Sequence, residues 1–346
     1  MKIAHDKLRR LTKEIFRAAG CEDSEAECIG SHLVESNLVG HDSHGVIRIP
    51  YYIEWLRAGK VHANKKINIV FENDAIAVVD GEFGFGQSIG EQAMALGIEK
   101  SGRHGVAVIA LKNTGHLGRI GDWALACARA NKLSMHFVNT SGAGILVAPF
   151  GGIERRLSAN PIAAGVPVDG GEPILLDMSA CTVAEGKLKV ALDKGERVPD
   201  NCIIDAQGRP TNDPKVFYAD PPGAILSAGG HKGYGLGIIA EMLAGALTGG
   251  SCSNPENANR VANGMLSIIM DRKFFQSDEA FSKEAQRFID YVKSSKRVSP
   301  AAEILMPGEI EERTKEKRLR DGIELAETTW KKLEEVCRSL DVACAS

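Results

Sequence analysis

The chain of 346 residues is long enough for two packed lobes, and 44% hydrophobic with 25% charged residues is the composition of an ordinary soluble globular protein. That excludes disorder, collagen-like repeats and a disulfide-stapled miniprotein. With 42 basic and 45 acidic residues the formal net charge is −3, so no basic field is available to hold a nucleic acid backbone.

The opening MKIAHDKLRRLTKEIF spaces Leu8, Leu11 and Ile15 helically, with Gly20 as the stop, and reads as an amphipathic helix rather than a secretory leader. Ser24 and Glu27 form a capping-box pattern before a second stripe, Ile29, Leu33 and Leu38, that runs to Gly40. Beyond HDSHG a third stripe takes Ile49, Ile53 and Leu56 toward Gly59. INIVFE and AIAVVDGE then read as strands, being rich in β-branched residues. Helix and strand alternate from there: IGEQAMALGIEKSG is helical, VAVIALKN a buried strand, IGDWALACARANK helical and LSMHFVNT a strand. ILLDMS is a further strand, YGLGIIAEMLAGAL an apolar helix and MLSIIMD a strand. Two charged helices follow, DEAFSKEAQRFIDYVKSS and EIEERTKEKRLRDG, the second with five acids and five bases. The expected fold class is α/β, with helical N- and C-terminal segments. No apolar run reaches the ~18 residues of a membrane span. The eight cysteines show no metal-like spacing, so reduced thiols and a cytoplasmic location are expected.

VDGEFGFGQSIG lies between a strand and a helix and approaches a dinucleotide fingerprint. The spacing Gly84-x-Gly86-x-x-x-Gly90 is one residue too long, and VAVIALKN ends without the acid that holds a ribose hydroxyl. A tight glycine turn fits better than a Rossmann site.

Three clusters can carry chemistry. In GHDSHGVIRIPYY, His44, Arg48 and Tyr52 are four apart, so a continuous helix stacks imidazole, guanidinium and phenol on one face. Pro50 argues for a kink or a first turn there. Arg48 can grip a carboxylate with two parallel hydrogen bonds, and a protonated His44 can give a proton to a carbonyl oxygen that receives hydride. A surface helix start capped by Ser43 fits the spacing as well. His41, Asp42 and His44 have no companion ligand cluster, so no metal is expected. In NTGHLGRIGDWA, His116 and Arg119 stand among Gly115, Gly118 and Gly121, where free amides at a helix start favour an anion. In GHKGYGLG, His231 and Lys232 precede an apolar helix, and the lysine offers a point charge to a phosphate. Asp177, at a strand end, either holds an imidazole in one tautomer or caps a helix.

Taken together, GHDSHGVIRIPYY, GHLGRIGDWA, LDMSACTVAEGK, GHKGYGL and PGEIEERTKEKRLRDGI resemble the motifs of the malate/L-lactate dehydrogenase family, which is unrelated to the Rossmann-type lactate dehydrogenases. The resemblance covers about residues 5 to 335. It implies a family-specific non-Rossmann nicotinamide-binding fold with a mixed sheet, NAD or NADP as cofactor, a small 2-oxo or 2-hydroxy acid as substrate, and a homodimer. It also implies a helical substrate and dimerisation region, 1–75 with 275–346, beside a cofactor-binding region, 76–274. By the same resemblance His44, His116 and Asp177 are catalytic, and Ser43, Arg48 and Tyr52 face the substrate. Cofactor contacts fall on His44, Gly118, Arg119 and Ile120, on Leu175, Leu176, Asp177, Met178 and Ser179, on His231 and Lys232, on Asn263, and on Gly308, Glu309, Ile310 and Glu311. Which histidine moves the proton stays open, with Asp177 expected to orient it. Reduction of a cyclic imino acid, ureidoglycolate-type oxidation and an inactive ligand-binding homologue are the competing readings. Ser158-Ala159-Asn160-Pro161 and Cys181 depart from the family pattern and leave cofactor choice and substrate size in doubt. The mixed-charge segment after the PGE turn is expected to reach a neighbouring subunit's active region.

Overall fold

The computed structural model describes residues 1–257 and 260–344. In chain order the elements are β1 (Lys2–Ile3), α1 (His5–Ala18), α2 (Asp23–Leu38), α3 (Ile49–Arg57), β2 (Asn68–Glu72), β3 (Ile76–Asp80), α4 (Gly86–His104), β4 (Val106–Thr114), α5 (Gly121–Arg129) and β5 (Leu133–Gly142). There follow β6 (Ile162–Val166), β7 (Ile174–Met178), α6 (Glu185–Lys194), β8 (Ile203–Ile204), β9 (Pro210–Thr211), β10 (Ala224–Ile225) and α7 (His231–Ala240). The last are β11 (Val261–Met270), α8 (Asp278–Lys293), α9 (Glu309–Asp321), β12 (Ile323–Glu324) and α10 (Glu327–Ser339).

Seven strands form one sheet in the order β2-β3-β4-β11-β5-β6-β7. Only β3 and β4, joined by the crossover helix α4, run parallel; every other pair is antiparallel. The sheet is therefore mixed, and its order is not that of a doubly wound dinucleotide fold. β11 returns from late in the chain to the centre, where Ala262 to Ser267 are all buried. Nearly continuous burial of an apolar run is what a central strand needs.

β6, α6, α10 and the three short strands β8 to β10 are absent from the sequence reading. β6, IAAGV, carries little strand signal because α5 lies directly on it. A Cβ on Gly165 would stand 2.5 Å from the Ala124 carbonyl oxygen, so only a side-chain-free residue lets helix and strand approach. The glycines of the misleading fingerprint have the same kind of cause. A Cβ on Gly86 would meet the His116 carbonyl oxygen at 2.2 Å, and one on Gly90 the Trp123 ring at 2.5 Å. They seat α4 against the GHLG loop, which positions His116.

Three main apolar cores result. One joins α1, α2 and α3 to the C-terminal α10 through Leu8, Phe16, Leu33, Tyr52, Trp330 and Leu333. A second lies under the sheet around Ile89, Ile109, Trp123 and Met265. The third, with Val147, Leu188, Ile203 and Phe217, belongs to the segment between β5 and α7. In YGLGIIAEMLAGAL, Glu241 is 2% exposed but fully engaged by Asn139 Nδ2, Asn160 Nδ2 and the Ser253 amide and hydroxyl. Ser158, one of the departing residues, is spent on this network with Asn160: Ser158 Oγ donates to Asn160 Oδ1, and Asn160 Nδ2 to the Gly237 carbonyl. All eight cysteines are free thiols. Among the described residues no helix is long and apolar enough to cross a membrane.

Candidate active site

The segment carrying His44, Arg48 and Tyr52 is not one helix. Asp42–His44 and Val46–Arg48 are separate 3-10 turns joined by an extended Gly45, and α3 begins with Pro50 in its first turn. Gly45 causes the break. A Cβ there would stand 2.2 Å from Asn37 Oδ1, the oxygen that accepts the Val46 amide at 2.9 Å. Arg48 folds back, its Nε donating to the Ser43 carbonyl at 2.6 Å. α6 closes on the same turn, since a Cβ on Gly186 would lie 3.0 Å from Ser43 Cβ.

Across this turn, His44 and His116 lie face to face, their ring centroids 5.7 Å apart and their planes within 9°. Ser43 Oγ is 3.1 Å from His44 Nδ1. Tyr52, 2% exposed, sets its hydroxyl 2.7 Å from His116 Nδ1 and accepts from Gln87 Nε2 at 3.0 Å. The phenol oxygen keeps a second lone pair and its own proton, so the Tyr52–Nδ1 hydrogen bond, whichever way it runs, sets the tautomer of His116. Burial, and next the charge of Arg48, brings His44 down to about 3 and holds His116 well below the usual histidine range. Burial pushes Tyr52 up to about 12. The resting site is thus two neutral imidazoles and a neutral phenol, not the protonated histidine expected from the motif.

Asp177 also stands elsewhere than expected. Its Oδ2 accepts the Gly121 amide at 3.0 Å and lies 3.4 Å from Arg119 Nε; among the described contacts it touches neither His44 nor His116. The free amide at the start of α5, read as an anion site, thereby has its anion within the chain. Arg119, expected to meet the cofactor, is 2% exposed and also donates to Asp122 Oδ1 at 2.9 Å. Burial raises Asp177 above the usual carboxylate range, Arg119 opposing it. At Asp122 burial pushes the same way, but Arg119 and then His32 outweigh it and the net shift is downward. One guanidinium serves two buried carboxylates unequally.

The other motif residues converge on this centre through the edge strand β7. The Leu175 amide donates to the Pro307 carbonyl at 2.9 Å, and Gly308 lies against Leu175, where a Cβ would come within 3.2 Å. Glu309 pairs with Lys293 and accepts the Met306 amide at 3.0 Å, while Ile310 is exposed. Glu311 Oε1 sits 3.3 Å from His41 Nε2. α9 is fastened to its own chain, Arg318 to Asp42 at 2.6 Å and Lys315 to Glu35 at 2.6 Å. Leu176 is exposed, Met178 half-buried, and Ser179 Oγ donates to the Cys181 carbonyl at 3.0 Å. Ile120 is buried in the sheet core. Asn263 Oδ1 accepts the Leu117 amide at 2.9 Å and so fixes the loop that bears His116. His231 and Lys232 are exposed in the first turn of α7, which meets the end of β7 where the Ala228 amide donates to the Ala180 carbonyl at 2.9 Å.

Gln87, His32 and Asp122 were missed. Gln87 lies inside the stretch read only as a glycine turn, and its signal was a polar residue in the first turn of a helix. A model of the family described as malate/L-lactate dehydrogenase matches residues 3–334. Hydroxycarboxylate dehydrogenase B of Escherichia coli O157:H7 is 38% identical over 337 residues, 96% of this chain and 92% of that protein. L-sulfolactate dehydrogenase of Methanocaldococcus jannaschii is 36% identical over 339 residues, 96% and 95% of the two chains. A solved E. coli structure, described as a candidate malate/lactate dehydrogenase, superposes with a TM-score of 0.94 at 36% identity over 99% of this chain and 96% of its own. With the same mixed sheet, and with the family model matching nearly end to end, this chain belongs to the malate/L-lactate dehydrogenase family.

Proposed function

We propose that the chain is a nicotinamide-dependent oxidoreductase that interconverts a small 2-hydroxy acid and the corresponding 2-oxo acid. The observation that carries this reading is the parallel His44–His116 pair with Arg48 beside it. A fork-shaped cation suits the substrate carboxylate, and an imidazole beside it suits the adjacent hydroxyl or carbonyl. The names of the relatives, hydroxycarboxylate and sulfolactate dehydrogenases, agree with a carboxylate-bearing hydroxy acid.

The donor set fits a dinucleotide. Lys232 is an exposed ammonium in the first turn of the ten-residue α7, behind Gly229 and Gly230 at positive φ, where amides and cation together suit phosphates. Gly118, at φ +71°, carries the loop beside His116 past Gln87, whose Nε2 would stand 3.1 Å from a Cβ there. We place the cofactor contacts there and along β7, with Arg119 and Asp177 holding the start of α5 rather than touching phosphate. When bound, NAD(H) or NADP(H) supplies or accepts the hydride.

The residues of the chain do the rest. In oxidation, a neutral imidazole, held neutral by burial and by Arg48, accepts the hydroxyl proton. In reduction the same ring must be loaded with a proton first. A substrate carboxylate on Arg48 offsets the charge that depresses both histidines, so substrate binding itself favours the protonated ring. Tyr52, held by Gln87, fixes the tautomer of His116, and Ser43 anchors His44. Within this reading, residues 1–75 with 275–346 bear the substrate side and 76–274 the cofactor side.

A homodimer belongs to the same proposal. Leu236, Ile239 and Met242 are 40%, 50% and 49% exposed along one side of α7 and its continuation, with Leu247 at 64%. Contiguous apolar surface of that kind marks an interface. The deciding experiment is a spectrophotometric screen of NADH and NADPH oxidation against a panel of 2-oxo acids with a cyclic imine alongside. Turnover of 2-oxo acids is expected. Turnover of the imine alone, or none with either cofactor, overturns the reading.

A further inference from the structure

On the far side of His32 from the substrate machinery, Cys28, His32 and Glu91 bring a thiol, an imidazole nitrogen and a carboxylate oxygen within 4.8 Å of one another. Among the described residues this is the one such group of three. Cys28 and His32 are four apart on α2, so helical geometry puts both on one face; Glu91 reaches in from α4. His32 meets the site described above only through Asp122, and Cys28 and Glu91 have no part in it. We propose that they form a binding site for a single zinc-class divalent ion, with three protein ligands and water in the fourth position.

The donor chemistry is the first argument. One sulfur, one nitrogen and one oxygen are the ligand types zinc takes, at roughly 2.0–2.3 Å, which puts tetrahedral ligands about 3.4–3.7 Å apart. The present separations need to shrink by only about an ångström, and Glu91 is exposed. The outer contacts are the second argument. His32 Nδ1 lies 3.3 Å from Asp122 Oδ2, and Asp122 is 8% exposed. A buried carboxylate taking one imidazole nitrogen fixes the tautomer that presents the other to a metal, the usual outer contact of a zinc-bound histidine. The His32 ring also packs on Trp123, centroids 4.9 Å apart, which limits its rotation.

The position has a consequence. Asp122 binds Arg119, and Arg119 reaches Asp177, so an ion on His32 holds the far end of a chain of charges that orders the start of α5. Binding ties α2 to α4 and should favour the folded state in proportion to occupancy.

The test uses the full chain after chelator treatment. Calorimetric titration with zinc chloride should show one equivalent bound, and Cys28→Ser or Glu91→Gln should weaken it at least tenfold. Zinc should raise the thermal midpoint of the parent chain by a few degrees and leave that of Cys28→Ser unmoved. Cobalt in place of zinc should give a thiolate charge-transfer absorption that vanishes in Cys28→Ser, which separates this site from the seven other cysteines. Absence of saturable uptake, or uptake equal in parent and Cys28→Ser, overturns the proposal. Neither result touches the oxidoreductase reading, because neither variant alters a residue placed in the active site.

Discussion

His136 lies on β5 inside the sheet with both ring nitrogens held by hydroxyls, Ser267 Oγ at 2.8 Å and Ser134 Oγ at 2.9 Å. His44 and His116 each have one nitrogen held, by Ser43 and by Tyr52, and no protein partner for the other among the described residues. All three rings are pushed toward neutrality. At His136 the cause is burial alone, which brings it to about 3; at the pair, Arg48 adds its charge. A depressed pKa therefore does not by itself mark a chemical group. What separates the two regions is completeness: the sheet histidine has nothing left to bind, and the pair keeps one nitrogen each beside a fixed cation.

The largest effect should fall on the pair. Removing the ring that moves the proton, by His44→Ala or His116→Ala, should lower kcat by roughly 10²–10⁴ while the thermal midpoint changes little. His136→Ala should do the reverse, losing stability while the folded fraction keeps its kcat. Near-normal turnover in both pair variants would end the catalytic half of the comparison, and near-normal turnover in His44→Ala alone assigns the proton to His116.

Arg48 tests why the pair is neutral. Arg48→Met should cut kcat/KM on the best 2-oxo acid about 10–100-fold, the scale of a lost charged hydrogen-bond pair. It should also move the acid limb of the pH–rate profile for hydroxy-acid oxidation to higher pH. The sign follows from charge: a cation beside an imidazole disfavours the imidazolium, so its removal raises the histidine pKa and protonation begins sooner. Arg48→Lys keeps the charge and loses the planar fork, so it should lower kcat/KM without moving the limb. A limb unmoved in Arg48→Met would leave burial as the sole cause.

Much of this was legible in the chain. The helices α1 to α3, the strands β3, β4, β5 and β11 and the motif residues follow from periodicity, glycine placement and family likeness. The expected single face through His44, Arg48 and Tyr52 failed because spacing cannot show that Gly45 must lie flat against Asn37. The orienting role given to Asp177 failed because its partner, the Gly121 amide, is 56 residues away in sequence and hidden until β7 and α5 pack. Gln87 was obscured by the glycines around it. His136 carried no signal, since a lone histidine in a β-branched strand looks the same whether its partners are hydroxyls or water.

The smallest effect on activity, and the clearest on stability, concerns His136 and acid. Its folded pKa of about 3 lies below the ordinary histidine value near 6.5 that an unfolded chain restores. Below pH 6.5 the unfolded state therefore binds a proton that the folded state refuses. The contribution is intact above that pH and is lost as pH falls toward 3. For one fully buried ring the slope is at most about 1.4 kcal/mol per pH unit across that window. His136→Gln keeps a polar group near Ser134 and Ser267 but cannot take the proton. It should start from a lower stability at pH 7 and then decline less steeply, by about that slope, when urea midpoints are followed from pH 7 to pH 4.5. His44 and His116 push in the same direction, but they are common to both proteins and cancel in the comparison. Parallel declines in the parent chain and in His136→Gln would mean that the sheet histidine takes up its proton in place, and the contrast with the pair would lose its second leg.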